Sequence, residues 1–570
     1  MKYWLALKFL AKYCVLGIPT SVSLDQLSEA LSCTKRNAQF VIKRLVAENI
    51  ITWQAGVGRG HYPSVTLLKD VHRMLEEQAY LWLDSNKVSQ ALALVEEQQK
   101  SQLLSQYMAR YQTEDHQRDI LQVPFYRGTH DLDAIGITRR TEQHIASYLY
   151  ATLLKWDEKS GQLVGDLAHS WTIQGDTLTI TLRKGLRFHD GSAILAGDVV
   201  AHFQRLLASE GANAQLYRFI DGFDALDDYT LRIQSAKMAS LLAKLISKDP
   251  MGISKLTEEK VLGSGPFELV EQTKWCTRLA VFPHYHGHRP WIDGVDIWNV
   301  GDHAKQFELH SDIYNLQYQH LTNQSSASLQ QQWEKGAEYL LINANRRAWL
   351  AVLANRNTLV EALLALGLPP QIIDQEVAGA ASMAGQPGCV PSADFERAKA
   401  LIDMLPKLDE PLVILTYQLY QHVDLAKYYA QMLTKLGLPC RYRVEEFPQF
   451  ERTEIQQQAD IIISGEVLSD DIELSLLSWL MGSRALDSCL LPEQKRRLHL
   501  AVFKALEADS ESQRIAQLQG CEGLLQQDFV YAPLFHVKQH LHFSSRVSVT
   551  ELLANGWIDF CDVVIKRDTR

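Results

Sequence analysis

Apolar and polar residues alternate most regularly at Thr177–Leu182, where Leu178, Ile180 and Leu182 interleave with Thr177, Thr179 and Thr181. A period of two predicts a half-buried strand. The turn His189-Asp190-Gly191 follows, and from Gly197 onward Val199, Val200, Phe203 and Leu206 recur on one helical face. Residues 171–206 thus read strand, turn, strand, loop, helix. Near the N-terminus, residues 2–16 place Trp4, Leu5, Lys8 and Lys12 at the spacing of an amphipathic helix. Ser23-Leu24-Asp25-Gln26 has the form of a capping box, in which serine and glutamine satisfy each other's free N–H groups. It opens a short helix that buries Leu24, Leu27 and Leu31. Ser32-Cys33 turns the chain, and Thr34 caps a helix from Lys35 to about Asn49. Residues 50–53 and 64–68 are strands around the flexible turn Gly56-Val57-Gly58-Arg59-Gly60.

Two short helices joined by a tight turn and followed by a hairpin make a winged helix-turn-helix. At about 100° per residue the second helix gathers Ala38, Val41, Ile42 and Leu45 on one face. The opposite face carries Arg36, Phe40 and Lys43, flanked by Asn37, Gln39 and Arg44. Such a face is often merely solvated; anchored behind and followed by a wing, it is a candidate for duplex DNA. Arg36, Gln39, Phe40 and Lys43 are then expected in the major groove beside Asn37, with Lys35, Arg44 and Arg59 on phosphates. Phe40 offers a thymine methyl an apolar contact. The G-x-G-x-G of the hairpin lacks the strand-to-helix setting of a nucleotide loop.

Charge agrees. Residues 1–75 hold ten Lys/Arg against four Asp/Glu, or +6, so a net charge of −10 leaves −16 on the remainder. A basic module on an acidic body points to an anionic partner. A chain of 570 residues exceeds one core and implies about three compact units. Residues 69–115, rich in Leu, Glu and Gln, read as two helices broken near Ser85-Asn86, either a connector packed on the wing or a dimerisation arm. Their apolar spacing is too irregular for a sustained heptad seam. Eight scattered cysteines without a C-x-x-C pair suit a reducing compartment. Lys8 and Lys12 interrupt the apolar N-terminus where a secretion signal needs an uncharged run, so a cytoplasmic location with no membrane association is expected.

Two blocks carry a resemblance. L-R-K-G-L-R-F-H-D-G followed by G-D-V-V, and Gly263-Ser264-Gly265-Pro266-Phe267 with Tyr285-His286-Gly287-His288-Arg289-Pro290 and Trp291-Ile292-Asp293-Gly294-Val295, resemble motifs of the family 5 solute-binding proteins. G-Q-L-V-G-D-L-A-H-S-W at 161–171 fits the same family, with Gly165 in place of its proline. S-C-T-K-R-N-A-Q-F and I-T-W-Q-A-G-V-G-R-G resemble the N-terminal domain of the SgrR-type transcriptional regulators, as does R-R-x-E-x-H-I from Arg139. Phe40 and Lys43 depart from that family's pattern, which leaves the preferred DNA sequence open.

The resemblance implies a multidomain chain: an α+β winged helix-turn-helix over residues 1–68, a helical connector over 69–115, and over 116–570 an α/β, two-lobed, periplasmic-binding-protein-like (type II) domain. It implies a regulator that senses a small-molecule effector, a sugar phosphate or a short peptide, by closing its lobes. A transport-associated solute-binding protein is the alternative. Peptide binders keep an aspartate for the substrate amine near the position of Asp470 and Asp471 here. A phosphate needs forked donors and helix N–H groups instead. Arg139 and Arg140 stand immediately before a helix over residues 145–154 that Thr141 is placed to cap; the plainer expectation is that they pair with Glu142, Asp131 or Asp133 on the surface.

His284, His286 and His288 would share one face of a strand, yet no cysteine or carboxylate cluster completes a metal site and the solute-binder motif explains the segment. With no nucleophile elbow, P-loop or H-E-x-x-H, neither enzyme chemistry, a metal nor a cofactor is expected. Residues 301–345 are Gln- and His-rich and poorly periodic, as surface insertions are. Beyond them, a helix, the strand 412–417, the helix 424–436, a buried strand at Ile461-Ile462-Ile463-Ser464, and closing strands at 529–535 and 556–560 are expected. Oligomeric state is open.

Overall fold

The computed structural model describes residues 1–56, 62–113, 118–125, 127–157, 160–209, 211–236, 241–258, 260–300, 311–315, 328–548 and 552–566. The N-terminal unit has the expected helix pair and hairpin. Gln26 N–H donates to Ser23 Oγ and Ser23 N–H to Gln26 Oε1, both at 3.0 Å, completing the capping box of helix Leu24–Ala30. Thr34 Oγ1 accepts from Asn37 N–H at the start of helix Lys35–Ala47. That helix stops two residues early because Asn49 adopts φ +55°, which turns the chain into strand Ile51–Gln54. The first helix spans Lys2–Tyr13 and not 2–16, since Cys14 is already extended. Strand Ser64–Leu67 pairs with Ile51–Gln54 and also with Thr20–Ser21, a third strand too short to show a period. Leu7, Leu10, Leu27, Ala38, Ile42, Leu45 and Val65 form the core.

Residues 69–113 fold into three helices where two were expected: Val71–Asp84, Val88–Leu92 and Lys100–Thr113. The first break falls at Asn86, with φ +59°. The segment packs on both sides. Leu75, Ala79 and Leu83 bury against the first helix, with Trp82 meeting Trp4 edge-on at 6.2 Å. On the other side Tyr107 meets Trp298 at 5.6 Å, so Trp298 and Cys276 of the body join the N-terminal core.

In the first lobe of the body, strands Phe267–Gln272, Cys276–Val281, Gly294–Asn299 and Ile120–Phe125 form one sheet in that order, the last pair parallel. A second sheet orders Ala168–Gln174, Thr177–Leu182, Thr230–Gln234 and Gly222–Ala225. Leu178, Ile180 and Leu182 face inward, and helix Ala196–Ala208 buries Val199, Phe203 and Leu206 on them.

The second lobe is built on an eight-stranded sheet. Its middle is Gly336–Ile342 between Tyr531–Phe543 and Ile461–Val467, continuing to Leu412–Tyr417 and Cys440–Glu445. The expectation of surface insertions over 301–345 is therefore corrected for Gly336–Ile342, which is buried throughout. Glu338 breaks its apolar run and hid the strand; residues 301–310 and 316–327 lie outside the described part. Residues 556–560 are a turn and not a strand, with Gly556 at φ +75° and a single bridge between Leu552 and Ile558. Helix Tyr420–Lys435 starts four residues before Asp424. Strand Tyr531–Phe543 serves both lobes: Leu534 and Phe535 lie in the second lobe's core, Leu541 and Phe543 in the core around Leu121 and Val123. Among the described residues no helix is long and apolar enough to cross a membrane.

Candidate functional site

Two surfaces carry chemistry. The first is the outer face of helix Lys35–Ala47. Lys35, Arg36, Asn37, Gln39, Phe40, Lys43 and Arg44 are all exposed, Phe40 at 58 %, while Ala38, Ile42 and Leu45 hold the opposite face in the core. The Arg36 guanidinium lies 6.0 Å from the Phe40 ring centre. Lys35 pairs with Asp25. Arg44 is more tied down: it meets Glu48 Oε1 at 2.8 Å and covers the Tyr3 ring at 4.6 Å. Arg59 lies outside the described residues.

The second is a cavity of about 320 Å³ between the lobes. Small-molecule sites begin at about 300 Å³. Strand Ile120–Phe125 gives it Val123 and Phe125, strand Ile461–Val467 gives Ser464, Gly465 and Glu466, and the loop at Phe447 and Glu451 closes one side. Helix Arg140–Leu149 ends at this wall with its N-terminus, where Arg139 is the cap residue and no side chain caps the first turn. Thr141 is the second helical residue and not the cap, and the helix covers 140–149 and not 145–154. The sequence masked the start because its first turn is charged and lacks an apolar period.

Arg139 and Arg140 both line the cavity. Arg139 stacks 4.1 Å from the Phe447 ring centre and 5.8 Å from that of Tyr417; Arg140 Nη1 meets Glu334 Oε1 at 2.5 Å. The surface pairs expected for them are made by others. Glu142 takes Arg127 through two bonds of 2.6 and 3.0 Å, and Asp133 takes Arg205 at 3.0 Å. Burial raises the Glu142 carboxyl, but the hydrogen bonds and charge of Arg127 outweigh it and hold it down at about 2.

Asp470 and Asp471 are corrected as cavity groups. Asp470 pairs with Lys335, while Asp471 caps helix Ile472–Gly482 by accepting from Leu474 N–H at 3.0 Å and lies 3.5 Å from Lys244. An aspartate just before a helix is drawn to its free N–H groups. The carboxylates that do line the cavity are Glu334, Glu338, Glu451 and Glu466, none of which sequence reasoning singled out. A signal existed: Glu338 and Glu466 sit in or at the end of apolar strands, where burying a charge needs a reason. Glu338 pairs with buried His422 and lies over Gly465, whose missing Cβ would stand 1.9 Å from its Oε2. Burial, with help from Glu338 and Glu451, raises the Glu466 carboxyl to about 7.

His284, His286 and His288 occupy a turn and not one face of a strand; His286 Nε2 lies 2.7 Å from Asp166 Oδ1, and the other two are exposed.

Residues 162–485 match the family model of the bacterial extracellular solute-binding proteins, family 5 Middle, and residues 8–119 that of the sugar transport-related sRNA regulator N-terminal domain. The protein named HTH-type transcriptional regulator SgrR in Salmonella choleraesuis is 27 % identical over 340 residues, 58 % of this chain and 59 % of its own length. The match thus spans about three-fifths of that relative. Its namesake from Yersinia enterocolitica is 24 % identical over 566 residues, covering 95 % of both chains. The oligopeptide-binding protein AppA of Bacillus subtilis, solved with a nonapeptide, shares the fold at a TM-score of 0.64 and 16 % identity, over 80 % of this chain and all of that one.

Proposed function

This chain belongs to family 5 of the bacterial extracellular solute-binding proteins, and with a matched SgrR-type domain ahead of that body we propose that it is a ligand-responsive transcription regulator. The winged unit, residues 1–68, binds duplex DNA; residues 69–115 connect it to the body; residues 116–570 sense a small molecule between two lobes. The reading needs no catalytic step, and it places the protein with the chromosome in the cytoplasm.

One observation carries it: the two surfaces are joined by continuous packing. Val123 and Phe125 line the cavity, and Gln122 on the same strand accepts from Trp298 Nε1–H at 2.7 Å. Trp298 abuts Tyr107 of the connector, and Arg278 of the neighbouring strand reaches Asn86 at the connector's bend. Closure of the lobes on a ligand moves this sheet against the helices that carry the wing. The ligand shifts that balance only by its difference in affinity for the two arrangements. Its anionic end, a phosphate or carboxylate, meets the Arg139 guanidinium and the uncapped first turn of helix Arg140–Leu149.

Selection of duplexes from a random library, followed by gel-shift titration, tests the first half. A selected site whose affinity falls in the Arg36→Ala and Lys43→Ala proteins is the expected result; equal affinity in both variants removes the recognition face.

A further inference from the structure

Between Lys12 and Asp25 the chain carries no charge, and there the end of the first helix leads into a tight turn. Ile18 N–H donates to Val15 O at 3.1 Å, and Gly17 adopts φ +75°. A positive φ at the third of four residues is the mark of a type II turn, with Leu16 at its tip. Gly17 N–H also donates to Leu67 O at 2.9 Å, and Leu16 bridges Leu67, which brings Leu68 to the same place. Tyr13, Val15, Leu16, Ile18 and Leu68 are all exposed, from 47 % at Leu68 to 62 % at Val15. Backbone hydrogen bonds hold the turn that carries them, so the exposure is built in. At ordinary side-chain areas it comes to roughly 500 Å² of apolar surface, a size at which a patch on a monomer is often functional. Strand Thr20–Ser21, directly after it, ends its sheet, and no strand among the described residues covers its outer edge. The recognition face lies elsewhere: Tyr3 is under Arg44, and Tyr13 is about 15 Å farther along the helix axis.

We propose that this patch pairs with the same patch of a second copy of the chain, closing a two-fold dimer through the N-terminal units. Chemistry, area and symmetry select that occupant. A patch without charge offers nothing to a phosphate backbone or to a charged protein surface, whereas an identical patch matches it. Two copies would withdraw roughly 1,000 Å² from water, the lower end for a specific interface, so the dimer is weak and reversible. A two-fold axis sets the open edges of the two Thr20–Ser21 strands antiparallel and stops the assembly at two copies. Docking of the patch on a different surface of the next copy would instead build rings or fibres.

Charge makes the pairing recognisable. Residues 1–75 carry +6, so two such units repel each other at low salt and the apolar contact must overcome that repulsion. Screening then tightens a patch-to-patch dimer, whereas it loosens a contact between the basic unit of one copy and the acidic body of another. If the winged unit reads DNA as proposed, the dimer presents two recognition helices to two inverted half-sites.

Sedimentation equilibrium of the full chain, with neither DNA nor ligand present, tests the pairing separately from both. The chain is expected to pass from monomer to dimer between nanomolar and high micromolar concentration, with tighter association as sodium chloride is added. Leu16→Asp should weaken the dimer by about a hundredfold or more, because the closed interface would then hold two unpaired carboxylates. Leu16→Met should keep it. Since Leu16 is exposed in the single chain, thermal unfolding at low concentration should be the same in all three proteins, which separates lost pairing from lost fold. A chain that stays monomeric over the whole range, a dimer untouched by Leu16→Asp, growth beyond two copies, or association that salt loosens would each overturn the proposal. None of these outcomes bears on the interlobe cavity or on the recognition face.

Discussion

The DNA-facing helix and the interlobe cavity hold their charges in opposite ways. On the helix, Arg36 and Lys43 make no ion pair among the described residues and stand in water around an exposed phenyl ring. In the cavity, Arg127 is held by Glu142 and Arg140 by Glu334, and burial raises Glu451 and Glu466 in the same wall that carries Arg139 and Arg484. The helix is therefore prepared for an anion by its solvated cations, whereas the cavity holds charges of both signs in a closed wall. One chain can host both because the two are unlike in solvent. Cations on a helix surface stay hydrated at little cost, whereas an acid in a closed wall gives up much of its charge until a partner arrives.

The largest effect should come from breaking the join between the two. Trp298 is fully buried between Tyr107 and Gln122. Trp298→Ala is expected to cost about 3–5 kcal/mol in urea unfolding, the range for truncating a large core aromatic. If it is instead silent in stability and ligand still alters DNA affinity in the variant, the two regions do not communicate through this contact.

Next in size are two opposed pH effects. Glu142 is depressed to about 2, so its contribution is present above the unfolded carboxyl value near 4.5 and is lost as pH falls from there towards 2. Its full size is about 3 kcal/mol. Glu466 is raised to about 7, which has the reverse sign: the folded chain holds a proton that the unfolded chain has released, and stability declines as pH rises from about 4.5 to 7. That decline is also about 3 kcal/mol at most. Urea titrations across pH 3–8 should show the second slope vanish in Glu466→Gln and the first persist. A Glu466→Gln protein with an unchanged slope between pH 5 and 7 would falsify the buried-acid description.

How much of each region was legible follows from how each is made. The winged unit is written locally: the Ser23 capping box, the Thr34 cap and the Ala38–Ile42–Leu45 stripe each lie within a few residues of what they organise. Strand Thr20–Ser21 was missed because two residues carry no period. The cavity is assembled from eleven separate segments of the chain, so pattern could flag Arg139 and Arg140 but not their neighbours. Asp470 and Asp471 followed a strand as a cleft aspartate should, yet a helix start and Lys335 claimed them. Glu466 four residues earlier took the cavity position, and only strand geometry distinguishes the two.

A middling effect sharpens the DNA side. Arg36→Ala should cost about 1–3 kcal/mol on a selected duplex and relax one base preference, with ligand binding to the body unaffected. Uniform weakening across all duplexes would move Arg36 from base edges to the backbone.

The smallest effect separates two neighbours that the sequence treats alike. Lys43 and Arg44 are adjacent, exposed and basic. Lys43 has no ion-pair partner among the described residues, whereas Arg44 is held by Glu48 at 2.8 Å and lies on the Tyr3 ring. To reach a phosphate Arg44 must leave both, and its net gain shrinks accordingly. Each phosphate neutralised releases counterions and steepens the salt dependence of binding by about 0.9 in log–log slope. Lys43→Ala is expected to flatten the slope by about 0.9 only where Lys43 turns from the base edges to a phosphate, and Arg44→Ala, expected on a phosphate, by clearly less than about 0.9. Equal losses in slope would mean that Arg44 abandons Glu48 on binding. In that case Glu48→Gln, which removes the competing charge, should raise DNA affinity in the wild-type background but not in Arg44→Ala.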